Sequence, residues 1–118
     1  MLRLVARYAD AYNTMAHRVP ATATAQFRQL DEACEDVGRD PSTIVKTIGS
    51  FVAYPGAEDD PGGVHANSIV GSPEQVAERL HALHQAGVEH ANLFASPWGL
   101  RAVEQTGQMI RHLRALGS

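Results

Sequence analysis

The stretch from Thr43 to Tyr54, TIVKTIGSFVAY, decides the fold of this chain. Its β-branched and aromatic residues favour a strand, and its apolar residues follow one another almost without a break: Ile44, Val45, Ile48, Phe51 and Val52. Such a run is typical of a parallel strand that is covered on both faces. Because parallel strands are joined by helical crossovers, helices are expected on both sides of it along the chain.

Upstream, residues 22–37 predict an amphipathic helix, because apolar residues recur at three- and four-residue steps: Phe27, Leu30, Cys34 and Val37. Thr22 or Thr24 is expected to cap its start, and Gly38 to end it in a left-handed conformation. Before it, residues 10–16 predict a brief strand. The chain opens with a helix from Leu2.

Downstream, residues 55–68 predict a loop, and Ser72 begins a helix as its N-cap. Pro73 then takes the first helical position and Gln75 completes a capping box. The apolar face of this helix comprises Val76, Leu80 and Leu83, and Gly87 ends it. A strand over 88–94, a turn over 96–99 and a last helix from Leu100 to Leu116 follow. The residues expected to face inward on that helix are Val103, Met109, Ile110, Leu113 and Leu116.

The resulting order, αβαβαβα, predicts a single α/β domain over residues 1–118, with three parallel strands and four helices. Three parallel strands leave two unpaired sheet edges, whereas parallel sheets are normally wider and covered. Because a helix opens the chain at residue 2 with no strand before it, the chain is expected to begin within a larger fold. Oligomerisation is expected to complete the sheet.

Composition limits the classes of partner. The chain has 118 residues, with 10 basic and 13 acidic side chains and a formal charge of −3. This slight acidity offers no general attraction to nucleic acid or to an anionic membrane. No apolar run approaches the ~20 residues of a membrane span. The single cysteine, Cys34, rules out an intramolecular disulfide and predicts a cytoplasmic protein. Because Cys34 lies on the apolar stripe, we expect a buried, inert thiol.

Four segments carry a family resemblance. Residues 2–13, LRLVARYADAYN, resemble the LRLAARYADGWN segment of luciferase-like monooxygenases. Residues 27–43 resemble the helix of that family that ends in a GRDP turn, and residues 69–88 resemble its GTPEEVAERL stretch. Residues 88–98 resemble its final strand. The resemblance covers nearly all of the chain.

The resemblance implies a (β/α)₈ TIM-type barrel of ~250 residues or more, of which this chain matches the last three βα units. It also implies a flavin- or deazaflavin-dependent oxidoreductase or monooxygenase, with FMN or a deazaflavin as the cofactor. Strands one to five have no counterpart here, nor does the glycine-rich loop that contacts the coenzyme phosphate in relatives. We therefore expect a partial barrel that is inactive alone. No catalytic residue is assigned to it, and the cofactor of the parent family need not be bound by this chain.

In such a barrel the active face lies at the carboxyl ends of the strands. Gly71 and Ser72 are candidates there, because the amides at a helix start can hold an anion such as a coenzyme phosphate. Pro73 removes one amide and Glu74 adds negative charge, so the alternative is that Ser72 only caps the helix.

Two further residues are candidates for cofactor binding. Trp98, the only tryptophan, could stack on a flat ligand, or it could close the barrel mouth by packing. Asn13, predicted to lie after the first strand, could bond a ligand or its own backbone.

The histidines form no recognisable metal site. No pattern of carboxylates or cysteines accompanies His17, His65, His81, His84, His90 and His112. Solvated side chains are the better explanation, and no metal is expected.

Two classes of function remain open. One is the carboxyl-terminal part of a flavin- or deazaflavin-dependent oxidoreductase. The other is a non-enzymatic scaffold or partner subunit, in which a homo-oligomer or the missing barrel half covers the exposed edges.

Overall fold

The computed structural model describes residues 1–15, 17–60 and 64–117. The four helices are α1 (Leu2–Tyr8), α2 (Pro20–Val37), α3 (Pro73–Gln85) and α4 (Leu100–Leu116). The strands are β1 (Ala11–Met15), β2 (Val45–Ala53), β3 (Ile69–Val70) and β4 (His90–Ser96). Single 3₁₀ turns cover Pro41–Thr43 and Ala57–Asp59. No helix among these residues is both long and apolar enough to cross a bilayer.

The sheet is parallel and centred on β2. One edge of β2 pairs with β4 from Thr47↔His90 to Ala53↔Ser96. β1 pairs with its amino-terminal part, from Ala11↔Val45 to Met15↔Gly49. β3 pairs with its last two residues. The α/β class with parallel strands is confirmed, and β3 is an addition, since two residues are too few to produce a periodic pattern.

One face of the sheet carries the main core. Ile48 and Val52 of β2 point into it, and the buried side chains of α2, α3 and α4 pack against them: Ala23, Phe27, Val76, Ala77, Leu80, Leu83 and Met109. A smaller cluster joins α1 to α2 through Ala6, Leu30, Ala33, Cys34 and Ile44. Cys34 is buried as predicted, and burial raises the pKa of its thiol.

The other face of the sheet, which we call the open face, carries the side chains that alternate along each strand with those of the core. In register they form rows across the strands: Asn13, Thr47 and His90, then Met15, Gly49 and Asn92, then Phe51 and Phe94. Phe94 is 52% exposed even though it lies inside a strand. No described helix covers this face, so the sheet is open.

Two helices leave apolar side chains exposed. On α4, Met109 is buried as expected, but Val103 is 67% exposed, and Ile110 and Leu116 are also exposed. The inward prediction for these three was wrong, because the helix has a second apolar stripe that nothing described covers. Tyr8 on α1 is likewise 75% exposed.

Two predicted boundaries were also wrong. β4 begins at His90 rather than Val88, because Val88 is buried in the preceding turn and the ladder starts where the Glu89 amide donates to the Lys46 carbonyl. α2 begins at Pro20, with Val19 as an N-cap that makes no side-chain hydrogen bond. Proline at the first helical position needs no partner for its nitrogen.

The hydroxyl of Thr22 is engaged elsewhere. It accepts a hydrogen bond from His17 Nδ1 at 2.8 Å and donates to the Val19 carbonyl at 3.1 Å. The second ring nitrogen of His17, Nε2, then accepts from the Thr14 hydroxyl at 2.9 Å. This assignment gives every proton one acceptor and makes the imidazole neutral.

His17 is only 5% exposed, so the expectation of a solvated side chain was wrong for this histidine. Burial lowers the pKa of its imidazole below the ordinary value. Its carbonyl accepts from the buried Ser50 hydroxyl at 3.0 Å, which ties the segment after β1 to β2.

We expect the free energy of unfolding to fall as the pH drops from 7.5 through ~6.5 and below. In that range the unfolded chain gains a proton on His17 while the folded chain, with its lowered pKa, resists protonation. His17→Gln should remove this part of the slope and cost ~1–3 kcal/mol at pH 7.5. Urea unfolding at several pH values measures both effects.

His81→Gln, on the partly exposed surface of α3, is the matched control for a change of histidine to glutamine. An unchanged slope in His17→Gln would show that the burial of His17 does not contribute to the pH dependence.

The amino terminus of α3 has the predicted capping box. The Gln75 amide donates to Ser72 Oγ at 3.3 Å, and the Ser72 amide donates to Gln75 Oε1 at 2.9 Å. Gly71 allows this arrangement, because a Cβ there would lie 2.7 Å from Gln75 Oε1.

Ser72→Ala should therefore lower the free energy of unfolding by ~1 kcal/mol, because one amide of the first turn loses its acceptor. Ser72→Asp, which keeps an acceptor, should restore most of the loss. Thermal unfolding followed by circular dichroism gives both values, and equal stability of all three proteins would contradict the capping role.

Candidate functional site

The carboxyl edge of the sheet brings three segments together. The Tyr54 amide donates to the Ser96 carbonyl at 2.8 Å, which joins the ends of β2 and β4. The Gly71 amide donates to the Ala53 carbonyl at 3.1 Å, which places the start of α3 beside them. This is the edge at which ligands bind in parallel α/β sheets.

Tyr54 anchors α4 at this edge. Its ring is buried, and its hydroxyl accepts a hydrogen bond from the Thr106 hydroxyl at 3.2 Å. Burial raises the pKa of the phenol above its ordinary value, and the bond from Thr106 partly opposes this. Tyr54 therefore stays protonated at neutral pH and has a structural position below the surface of the site.

A pocket of about 240 Å³ opens between the ends of β2 and β4. We call it the aromatic cleft, and its lining residues are Phe51, His65, Ser68, Phe94, Ala95, Ser96 and Trp98. Phe51 and Phe94 are in register, with ring centroids 5.4 Å apart. The imidazole of His65 stacks on Phe51 at 3.9 Å with the two planes inclined by 10°.

The hydrogen bonds of His65 define which nitrogen can donate into the cleft. The Asn67 amide donates to His65 Nδ1 at 3.0 Å. In the neutral ring the proton therefore resides on Nε2, which becomes a donor. The loop itself is held by the Arg18 guanidinium, which donates to the Ala66 carbonyl at 3.4 Å.

Trp98 lies at the rim of the cleft with its side chain 79% exposed. Its backbone amide donates to Asp60 Oδ2 at 3.1 Å, so a carboxylate from the long loop fixes its position. The indole does not close the site by packing among the described residues, and one of its faces is available to a ligand.

Gly71 and Ser72 lie in a second pocket, of about 320 Å³, beside Gln75 and Glu58. The capping box uses both the hydroxyl and the amide of Ser72, and Pro73 has no amide to offer. Glu58 adds negative charge to the lining. These features favour the capping role of Ser72 over anion binding.

Asn13 lies apart from both pockets. It is inside β1 rather than after it, which corrects the predicted position. Its Oδ1 accepts from the Thr47 hydroxyl at 2.8 Å, so it bonds across the strands and not to its own backbone. The arrangement leaves Asn13 on the open face, in the row that includes His90.

The structure thus brings Gly71 and Ser72 together, places Trp98 in the neighbouring cleft and separates Asn13 from both. Sequence reasoning missed Phe51, His65 and Phe94 as site residues. A signal for the two phenylalanines existed in the apolar runs of two adjacent predicted strands, but only the register shows that they meet.

The described residues contain no cluster of three or more histidine, cysteine, aspartate or glutamate side chains that could hold a metal ion. Among the described residues that line the aromatic cleft there is also no carboxylate, lysine or arginine. Its chemistry is that of a site that binds flat, weakly polar groups.

Comparison with known proteins supports the fold described above. No protein-family model matches the chain. A phthiodiolone/phenolphthiodiolone dimycocerosates ketoreductase from Mycobacterium sp. (strain JLS) is 37% identical over 60 residues, which are 51% of this chain and 16% of that protein.

Two solved structures superpose on 96% of the chain. An F420-dependent secondary alcohol dehydrogenase, in complex with an F420–acetone adduct, matches with a TM-score of 0.72 and 17% identity. The coenzyme F420 dependent tetrahydromethanopterin reductase from Methanopyrus kandleri matches with a TM-score of 0.71 and 17% identity. The chain covers 46% and 48% of these two proteins.

The chain spans about half the length of the solved relatives and less of the curated one. The expected fold is confirmed: this chain has an open parallel sheet with flanking helices, which superposes on about half of each of these two enzymes.

Proposed function

We propose that this chain is the carboxyl-terminal part of a deazaflavin-dependent oxidoreductase, and that a complementary set of βα units must complete its barrel before it can act. The observation that carries the proposal is the open sheet face in a chain that has the fold of half a barrel.

The exposed surfaces are those that a closed barrel covers. Nothing described pairs with the outer edges of β1 and β4. The inner face of a barrel is packed by side chains from all its strands, and here Phe94 and Met15 are exposed on it. Exposed apolar stripes also lie on α1 and α4, the two helices at the ends of the chain.

The number of strands favours a different partner over a second copy. The chain supplies three strands of five residues or more, β1, β2 and β4, whereas a barrel of this type has eight. Two copies would supply only six, so a partner with five strands completes the closure. A homo-oligomer would cover the edges but would not reproduce this barrel.

The choice of cofactor follows the two solved structures that superpose on this chain, both of which are F420-dependent enzymes. A deazaflavin, when bound, supplies the hydride chemistry. The aromatic cleft lies where the carboxyl mouth of the barrel would be, and Trp98 at its rim offers an exposed indole face on which the deazaflavin ring would stack outside the cleft itself. The described lining of the cleft lacks cationic groups for phosphates, so the complementary units are expected to hold them.

The chain's own residues would position and shield the reactants. Phe51 and Phe94 form an apolar floor for the cleft, and Asp60 holds the backbone of Trp98 at its rim. No general acid or base is assigned among them, because the described lining of the cleft contains no carboxylate, the buried Tyr54 phenol has a raised pKa, and His65 serves as a hydrogen-bond donor.

We expect the purified chain to bind coenzyme F420 weakly and to show no turnover of the reduced coenzyme with a ketone such as acetone. Trp98→Ala should weaken the binding by about fivefold, because a stacked aromatic contact is lost. Equilibrium dialysis measures the affinity, and absorbance of the coenzyme measures turnover.

Tyr8→Phe, an exposed aromatic position on α1 away from the cleft, is the control and should leave the affinity unchanged. Turnover by the chain alone, as monomer or oligomer in native mass spectrometry, would overturn the need for complementary units. A stable homo-oligomer that protects the open face from hydrogen exchange and binds no F420 would favour the scaffold instead.

A further inference from the structure

We propose that the aromatic cleft binds a flat, uncharged aromatic compound that carries a hydrogen-bond acceptor. Its role as the substrate of the enzyme rests on the proposed function, whereas the binding itself does not.

The walls of the cleft are aromatic and already assembled. Phe51 and Phe94 meet at a tilt of 32°, and His65 lies nearly parallel to Phe51. Phe94 and Trp98 remain largely exposed, so part of this surface has no partner in the described structure. Aromatic faces attract other flat rings through offset stacking and edge contacts.

The polar groups of the cleft call for an acceptor on the ligand. His65 presents Nε2–H when its ring is neutral, since Nδ1 already accepts from the Asn67 amide. Ser68 and Ser96 add two hydroxyls, for which no hydrogen bond to another described residue is found. A few convergent polar groups in an apolar pocket fix the orientation of a bound molecule.

The charges around the cleft select against ions. Its described lining contains no lysine, arginine, aspartate or glutamate. A carboxylate lies at the rim, where Asp60 accepts a hydrogen bond from the Trp98 amide. An anionic ligand would be repelled by this carboxylate, and a cationic one would have to leave water without an ion pair in the lining.

The size of the cleft limits the ligand to one or two fused rings. Its volume of about 240 Å³ is below the ~300–1,000 Å³ of sites for larger organic ligands. The site is also organised in advance, because the Ser68 amide donates to the His65 carbonyl at 3.0 Å and Arg18 holds the same loop. Such preorganisation lowers the entropic cost of binding.

The test uses coumarin, a flat bicyclic compound with a carbonyl acceptor, titrated into ¹⁵N-labelled protein. Because the chain has one tryptophan, the indole N–H of Trp98 gives a single side-chain signal that reports on the cleft. We expect this signal to shift in a saturable manner. Camphor, which has a carbonyl but is not flat, and 1-naphthoate, which is flat but charged, should each bind at least about fivefold more weakly.

Variants at two positions of the cleft test the residues. Phe94→Ala and His65→Ala should each weaken coumarin binding by about fivefold or more, while Tyr8→Ala on α1 should change it by less than twofold. His65 and Phe94 are exposed, so the substitutions leave the core intact, and the backbone spectrum checks the fold. His65→Phe keeps the stacked ring without its donor and should retain only part of the affinity.

The outcomes separate the two proposals. Saturable coumarin binding that depends on Phe94 and His65 supports the inference even if coenzyme F420 does not bind. Absence of saturation, equal binding of camphor or 1-naphthoate, or variants within twofold of the wild type would overturn it, even if F420 binding supports the proposed function.

Discussion

The hydrogen-bond ladder along both edges of β2 is the constraint on which the rest of this structure depends. β4 pairs with seven successive residues on one edge, and β1 and β3 divide the other edge between them. Because β2 belongs to every pairing in the described sheet, its register determines which side chains of the other strands share a row. Ile48 and Val52 then direct the helices to one face, while Phe51 meets Phe94 on the opposite face.

The two faces of the sheet therefore differ in what their residues do: one face holds the core, and the other face holds residues that are still free to contact a ligand or a partner. The helix-covered face contains the main apolar cluster, together with the Ser50 hydroxyl that holds the carbonyl of the buried His17. The open face and the carboxyl edge contain the groups that are still available to a ligand or a partner. The same register that buries Val52 exposes Phe94, so the described part of the chain has a buried core on the helix side and an uncovered face on the other side of the sheet.

Local sequence predicted the parts of the fold that depend on a few neighbouring residues. The capping box of α3 needs only Ser72, Pro73 and Gln75, and its two hydrogen bonds form as predicted. Parallel order follows from the apolar run of β2. The prediction of which α4 residues face inward was wrong, because the helix has two apolar stripes. Only packing against α3 decides which of the two stripes is buried.

The candidate site was harder to predict because it depends on distant residues. Asn13 was placed at a strand end, but β1 continues through it to Met15. His65 reaches the cleft from a long loop without periodicity, and its stacking on Phe51 depends on the path of that loop. Trp98 could be singled out by its position after the last strand, while its tether to Asp60 has no signal in the sequence.

The parallel pairing of β2 has a consequence for how the chain folds. Ala11 and Val45, which begin one ladder, are 34 residues apart, and Thr47 and His90, which begin the other, are 43 residues apart. Neither ladder can form from a local hairpin, so the sheet must close large loops before its contacts compensate the loss of chain entropy. The strand edges of the nascent chain therefore stay unpaired until β4 has been synthesised, and the outer edges of β1 and β4 have no partner among the described residues even then. Such edges promote aggregation, so early contact with a covering partner would protect this fold during its synthesis as well as complete its sheet.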